Sequence, residues 1–217
     1  MSQPRSCLDL LKDGVKISGF YMIFTADNRR LAVHCDFSSE SGAAWTLVMS
    51  HSKKNKNLKQ FKQSLRFNLP VNDGSPNWNA YRMSLPMMKN LQAFSTHWRY
   101  TCNHPQNEID YDDYARAKFS SLNPLTFESP KGSCAVMEYI NVRGHACGGC
   151  KAYWLQYRSK DKRILHFDSY KNRCEFHAKK GAVKWEDNFG FYRLTNSKFR
   201  CTASASSTTN LWFGEFL

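Results

Sequence analysis

The chain predicts an α+β fold built on an antiparallel sheet, and three observations carry that prediction. Helix signals come early and strand signals late, the strand-like runs are short and bounded by turn residues, and the eight cysteines are an even number suited to bridging. Ser6-Cys7-Leu8-Asp9 reads as a capping box: Ser6 accepts from the freed amides, Asp9 sits at the positive helix end, and Gly14 stops the helix. Gly19 precedes Phe20 to Phe24, a strand by its bulky and aromatic content, and Asp27-Asn28 supplies the turn into Leu31 to Cys35. A third strand runs from Ala44 to Met49. Ser84-Leu85-Pro86 opens a helix that puts Met87, Met88, Leu91 and Phe94 on one buried face. Beyond Cys134, strands are expected over Ala135 to Val142, Ala152 to Arg158 and Arg163 to Ser169. The last two form a hairpin with Tyr153, Leu155 and Tyr157 on one face. Two segments read as loops: Lys53 to Lys59, with four lysines and two asparagines, as solvated chain, and Thr202 to Thr209, rich in small hydroxylated residues, as surface.

Composition bounds the rest. The 217 residues are 41% hydrophobic and 14% aromatic, enough for one sizeable core, which excludes wholesale disorder. The longest apolar run, Phe20 to Phe24, is far short of the roughly 20 residues that cross a bilayer as a helix. Met1 to Arg5 has no apolar h-region, so secretion requires a leader outside this numbering. Asn196-Ser197-Lys198 fails as a glycosylation sequon at its third position. Lys and Arg number 31 against 18 Asp and Glu, a formal charge of +13.

Residues 6 to 49 carry Ser6-Cys7, Leu11, Gly14, Ser18-Gly19, Tyr21-Met22-Ile23, Val33-His34-Cys35-Asp36 and Trp45-Thr46-Leu47 in an order and spacing that resemble the opening of the fibrinogen C-terminal-like domain family. The resemblance implies an extracellular recognition domain with an antiparallel sheet, and it assigns Cys7 and Cys35 to the family's first bridge. That bridge ties the first helix to the second strand, a closure worth on the order of 3 kcal/mol by chain entropy. After Met49 the family's aspartate-rich calcium loop and downstream Cys pair are missing, so calcium and acetyl-group binding are not carried over. The remainder resembles a divergent invertebrate branch, through Pro76-Asn77-Trp78-Asn79, Ser95-Thr96-His97-Trp98, Glu138 to His145, Glu186 to Tyr192 and Lys198-Phe199-Arg200-Cys201. Some members of that branch are secreted proteins of skeletal organic matrix. One fibrinogen C-terminal-like domain over 1–217 is expected, with an N-terminal lobe at 6–49 and a divergent main lobe at 50–217.

Several constellations carry chemistry. Cys147-Gly-Gly-Cys150 and Cys174-Glu-Phe-His177 form a Cys-x2-Cys and a Cys-x2-His that could close four soft ligands around zinc. Against this, the cysteine total is even and the resemblance is to oxidised extracellular proteins, so disulfides are favoured. The same Cys-x-x-Cys is the spacing of a redox pair, yet it lacks a following helix start to lower a thiol pKa. Beyond Cys7 with Cys35, sequence order pairs Cys102 with Cys134 and Cys174 with Cys201, leaving Cys147 and Cys150 to each other or to exchange with the later two. Glu108, Asp110, Asp112 and Asp113 are the densest acidic stretch and a weak calcium candidate. Extended backbone would point the first three to one side, and a solvated loop is the expectation.

Charge points to acidic partners. The lysines are scattered apart from a few clusters and no reading motif accompanies them, so nucleic acid is not favoured, although Trp78, Trp98 and Tyr81 are the aromatics that would stack bases. A positive field alone suffices for acidic glycans, acidic matrix proteins or anionic cell surfaces. No Gly-x-Ser-x-Gly, His-Glu-x-x-His or phosphate-cradling loop is present, and Cys147 beside His145 is expected to be bridged. The sequence therefore predicts a secreted, non-enzymatic recognition, adhesion or matrix protein without a cofactor, the matrix being a mineralised skeletal one in the narrowest form. The competing prediction is an intracellular nucleic-acid-binding domain holding zinc through Cys147, Cys150, Cys174 and His177.

Overall fold

A computed structural model describes residues 3–107, 109–157, 163–168, 174–176 and 186–217. The chain enters through α1 (Cys7–Lys12), capped as its sequence dictates: Ser6 Oγ accepts from the Asp9 amide at 3.3 Å. Then come β1 (Gly19–Phe24), β2 (Arg30–Asp36) and β3 (Ala43–Ser52). The expected boundary between 49 and 50 falls inside β3. The lysine-rich segment that follows contains a 3-10 turn at Lys53–Asn55 and α2 (Lys59–Lys62). Lys53 Nζ donates to Thr202 O (2.7 Å) and Lys56 Nζ to Tyr192 O (2.9 Å), so these two lysines are tied to the fold where a solvated loop was expected. Next are β4 (Ala80–Arg82) and α3 (Leu85–Gln92), which turns Met88 and Leu91 inward; Phe94 lies past its end and is exposed. The chain continues with β5 (His97–Cys102), α4 (His104–Asn107), β6 (Tyr114–Lys118), β7 (Ser129–Val142), β8 (His145–Gln156), β9 (His166–Asp168), β10 (Asp187–Asn188) and β11 (Thr208–Phe216).

All strands join one antiparallel sheet in the order β1-β2-β3-β11-β5-β6-β7-β8-β9-β10, with β4 added beside β3. The last strand in sequence is thus a central strand in space, hydrogen-bonded to β3 on one side and β5 on the other. This overturns part of the surface-loop expectation for 202–209: Ala203 to Ser206 are exposed, whereas Ser207, Thr208 and Thr209 are buried. Every residue of β3 and β5 is buried, as expected of strands covered on both faces. Four tryptophans, Trp45, Trp98, Trp154 and Trp212, are fully buried there. Trp98 Nε1 finds Leu122 O at 2.7 Å and Trp212 Nε1 finds Thr101 Oγ1 at 2.9 Å, whereas Trp45 Nε1 and Trp154 Nε1 have no partner among the described residues.

β7 and β8 form a long hairpin through Arg143-Gly144, and β8 begins seven residues before the expected start at Ala152. β8 pairs with β9 through Trp154 opposite Phe167, while the link at 159–162 lies outside the described residues.

Candidate functional site

The sulfurs are positioned by the sheet. Cys7 is bonded to Cys35, joining α1 to β2. The sequence-order pairing of the next four is corrected: Cys102 bonds Cys201 and Cys134 bonds Cys174. Insertion of β11 beside β5 brings the Arg200–Thr202 turn to the end of β5, where Cys102 lies. The 174–176 segment runs along β8, with Phe176 N–H donating to Lys151 O at 2.9 Å, and so meets Cys134 on β7. Cys147 bonds Cys150. All eight cysteines are therefore paired, and the zinc reading fails for a chemical reason: Cys147, Cys150 and Cys174 have no thiolate to offer. His177 lies outside the described residues. Among those described, no group of three or more His, Cys, Asp or Glu is arranged to hold a metal ion.

The acidic stretch is folded against a cation. Tyr111 and Asp113 have φ of 62° and 48°, so the backbone turns and the extended, one-sided display is not formed. Both Asp110 oxygens accept from Arg200 Nη1 (2.7 and 2.8 Å), and Asp112 Oδ2 lies 3.2 Å from Arg200 Nη2. Asp113 is buried and accepts the amides of Arg143 (2.6 Å) and Arg200 (2.8 Å); burial outweighs those bonds and pushes its carboxyl up to about 6. Asp110 and Asp112 keep the solvent exposure expected of a loop but are also paired with Arg200, with which a calcium ion there would compete, whereas Asp113 departs from that expectation by being buried. Glu108 is outside the described residues.

The sequence reading missed a buried charge network at the sheet's centre. Arg99, on β5, is fully buried with Nη2 2.5 Å from Asp36 Oδ2 and Nη1 2.5 Å from Glu40 Oε2, and its guanidinium lies 4.4 Å from the Trp45 ring. Glu40 also receives Arg116 Nη1 (2.5 Å) and the Tyr114 hydroxyl (2.9 Å). Arg116 Nε reaches on to Glu138 (3.0 Å), which His97 contacts at 3.0 Å. Burial alone would raise the Asp36 carboxyl, but His104, Arg99 and Ser39 together hold it well below the usual carboxylate range. An arginine between aromatics in His97-Trp98-Arg99-Tyr100 was the available signal, since a cation in a strand buried on both faces demands carboxylate partners.

Asp36 also floors a cavity of about 300 Å³ lined by Ser18, His34, Ser38, Trp78 and His104. His34 and His104 pack on Trp78, with ring centroids 4.9 and 5.6 Å away, and the exposed Phe20 ring lies 5.1 Å from His34 at the rim. Burial and the neighbouring His104 lower His34 to about 4, so it is neutral at ordinary pH. The cavity thus offers aromatic faces and a neutral imidazole, while the Asp36 oxygens are engaged by Ser18, Ser38, Ser39 and Arg99. Trp98 and Tyr81 are fully buried, which removes two of the three proposed base-stacking aromatics from the surface.

A basic face lies elsewhere. Lys54, Lys59 and Lys62 are exposed, and the Lys53 and Lys56 anchors set this segment against the stretch carrying exposed Arg193 and Lys198. Ion pairing is mainly the work of arginine: Arg29, Arg66, Arg99, Arg116, Arg143 and Arg200 hold carboxylates, whereas among the described residues Lys118 is the one lysine within 4 Å of one.

No family model matches the chain, and no curated protein matches it. Among solved structures it is similar to the fibrinogen-like globe domain of human ANGPTL2, with 15% identity, 97% of this chain and 98% of that chain covered, and a TM-score of 0.43.

Proposed function

We propose that the chain is an extracellular, non-enzymatic recognition and adhesion domain that holds acidic glycans or acidic matrix proteins on its lysine face. The observation that carries this reading is the division of labour among the charges. Among the described residues arginines make most of the ion pairs, leaving Lys54, Lys59 and Lys62, with Arg193 and Lys198 nearby, turned to solvent as a positive field. Pairing of all eight cysteines supports an oxidising compartment. Among the described residues no helix is long and apolar enough to cross a membrane. A mineralised skeletal matrix is the narrower form of the reading. It is supported by the sequence resemblance, and the mineral contact would have to come through acidic matrix partners, because Asp110 and Asp112 are held by Arg200.

Retention on immobilised heparin, compared with neutral dextran, tests the proposal. Binding should weaken at least about tenfold between about 0.05 M and about 0.5 M salt. Lys54→Gln/Lys59→Gln/Lys62→Gln should weaken it further without changing the melting temperature. Equal retention on dextran, or salt-independent binding, would sink the reading.

A further inference from the structure

The four bridges differ in what they hold. Cys7–Cys35, Cys102–Cys201 and Cys134–Cys174 join segments 28, 99 and 40 residues apart. The first two are buried. The third is the most exposed of the four, with Cys134 at the surface and Cys174 half-buried, but it is seconded by other contacts: Phe176 is buried, its amide donates to Lys151 O, the Lys151 amide donates to Glu175, and the Phe176 ring stacks on His145 at 4.8 Å. If that bridge opened, these contacts would keep Cys174 beside Cys134 and the bond would re-form. Cys147–Cys150 is of another kind, spanning three residues within a single strand.

The ladder around it runs against the bond. Cys147 lies opposite Ile140, Gly148 opposite Tyr139 and Cys150 opposite Met137, in the same register as Val142 with His145 and Ala135 with Ala152 beyond either end. A straight strand sets residues three apart at about 10 Å, given a rise of about 3.3 Å per residue. A disulfide needs its Cα atoms within about 7 Å, and here they are 6.1 Å apart. Gly148 and Gly149 take up the difference, Gly149 at φ 68°, a conformation that favours glycine. The flanking ladder favours an extended strand, and the bond closes over Gly149, the residue between the two cysteines that has no partner in that ladder. Once opened, the strand draws the two sulfurs apart. The loop is also the shortest of the four, so its closure removes the least freedom from the unfolded chain.

Access is one-sided. Cys147 is half-buried between exposed Ala146 and Gly148, whereas Cys150 is 6% exposed. From the register, the exposure and the contraction, we propose that Cys147–Cys150 is a site of thiol–disulfide exchange with a dithiol of another protein. The partner's thiolate attacks Cys147 Sγ and forms a mixed disulfide; the Cys147–Cys150 bond breaks and Cys150 leaves as a thiolate that takes a proton from water. The partner's second thiol, as thiolate, then attacks its own sulfur in the mixed disulfide and releases Cys147, which is protonated in turn. The chain gains two electrons as two thiols, and the partner is oxidised to a disulfide. This chain is the substrate of the exchange, in keeping with the absence of a helix start after Cys150. The inference is independent of the lysine face.

Dithiothreitol serves as the probe on the intact oxidised chain, with iodoacetamide trapping, peptide mapping by mass spectrometry and near-ultraviolet circular dichroism in parallel. Cys147 and Cys150 should be alkylated at least about tenfold faster than the other six cysteines, before the native dichroism changes. In Cys150→Ser the lone Cys147 should react with Ellman's reagent at least about tenfold faster than the lone Cys150 in Cys147→Ser. Earlier labelling of Cys134 and Cys174, labelling of the pair only as the dichroism is lost, or equal reactivity of the two single variants would each overturn the proposal.

Discussion

Arg82 and Arg99 are both fully buried, yet their charges are compensated in opposite ways. Arg99 meets the carboxylates of Asp36 and Glu40, and although burial works against its charge, those partners and Tyr114 hold its pKa above the usual value. Arg82 instead donates to four main-chain oxygens, Gln60 (2.6 Å), Gln63 (2.9 Å), Ser64 (2.9 Å) and Phe67 (2.7 Å), and burial brings it down to about 10. The source of the compensation decides what each residue does. Carboxylates on β2 and on the loop before β3 bind Arg99 to distant parts of the sheet. The carbonyl dipoles around Arg82 all come from one short stretch, so Arg82 shapes the segment that ends the lysine face.

The largest effect should therefore come from Arg99→Met. It leaves Asp36 buried without an arginine and takes one of the two arginines from Glu40, and removal of one member of such a buried pair costs about 3–5 kcal/mol. Denaturant unfolding should show that loss as a global shift of the midpoint. Arg99→Lys should recover only part of it, because an ammonium cannot match two carboxylates with a planar fork. A loss under about 1 kcal/mol in Arg99→Met would erase the distinction drawn between the two arginines.

Arg82→Met should cost less, about 1–3 kcal/mol, since the freed carbonyls of 60–67 can turn toward water. Its signature is local: amide exchange should rise over 60–67 while β3, β5 and β11 stay protected, and heparin retention should fall although no exposed charge was removed. Uniform loss of protection across the sheet would show that Arg82 is as global a staple as Arg99.

Little of this contrast was visible in the sequence, and the reason is separation along the chain. α1 and β1 to β3 were legible because their causes are local: the Ser6 and Asp9 cap, the aromatic run of β1, and the Asp27-Asn28 turn. β11 was not, because Thr208 to Gly214 is buried on both faces, shows no alternation, and owes its place to β3 and β5 more than a hundred residues earlier. The same holds for Arg99 and Asp36, which lie 63 residues apart, and for Cys102 and Cys201, whose partnership depends on where β11 inserts. β8 was read as starting late because Gly148 and Gly149 hide a strand whose ladder skips Gly149 and resumes in the same register beyond it.

Acid should separate the two arginines once more, with the smallest effect. The folded Asp36 carboxyl lies below its ordinary value of 3.8, so its contribution to stability is complete above that pH and is lost as pH falls below it, by at most about 1.4 kcal/mol per unit. His34 acts on the same side of the sheet. Its folded value of about 4 against 6.5 means that the unfolded chain binds the proton more readily, so stability declines as pH falls from about 6.5 toward 4. Asp113, raised to about 6, has the opposite sign: it favours the folded state as pH drops through that value, and it partly offsets His34. The carbonyl partners of Arg82 do not titrate. Hydrogen exchange near pH 3 should accordingly show β2 and β5 losing protection relative to pH 6 while the 60–67 amides keep theirs. If 60–67 opens first, a carboxylate must be helping to hold Arg82, and the contrast between compensation by charge and compensation by dipoles fails.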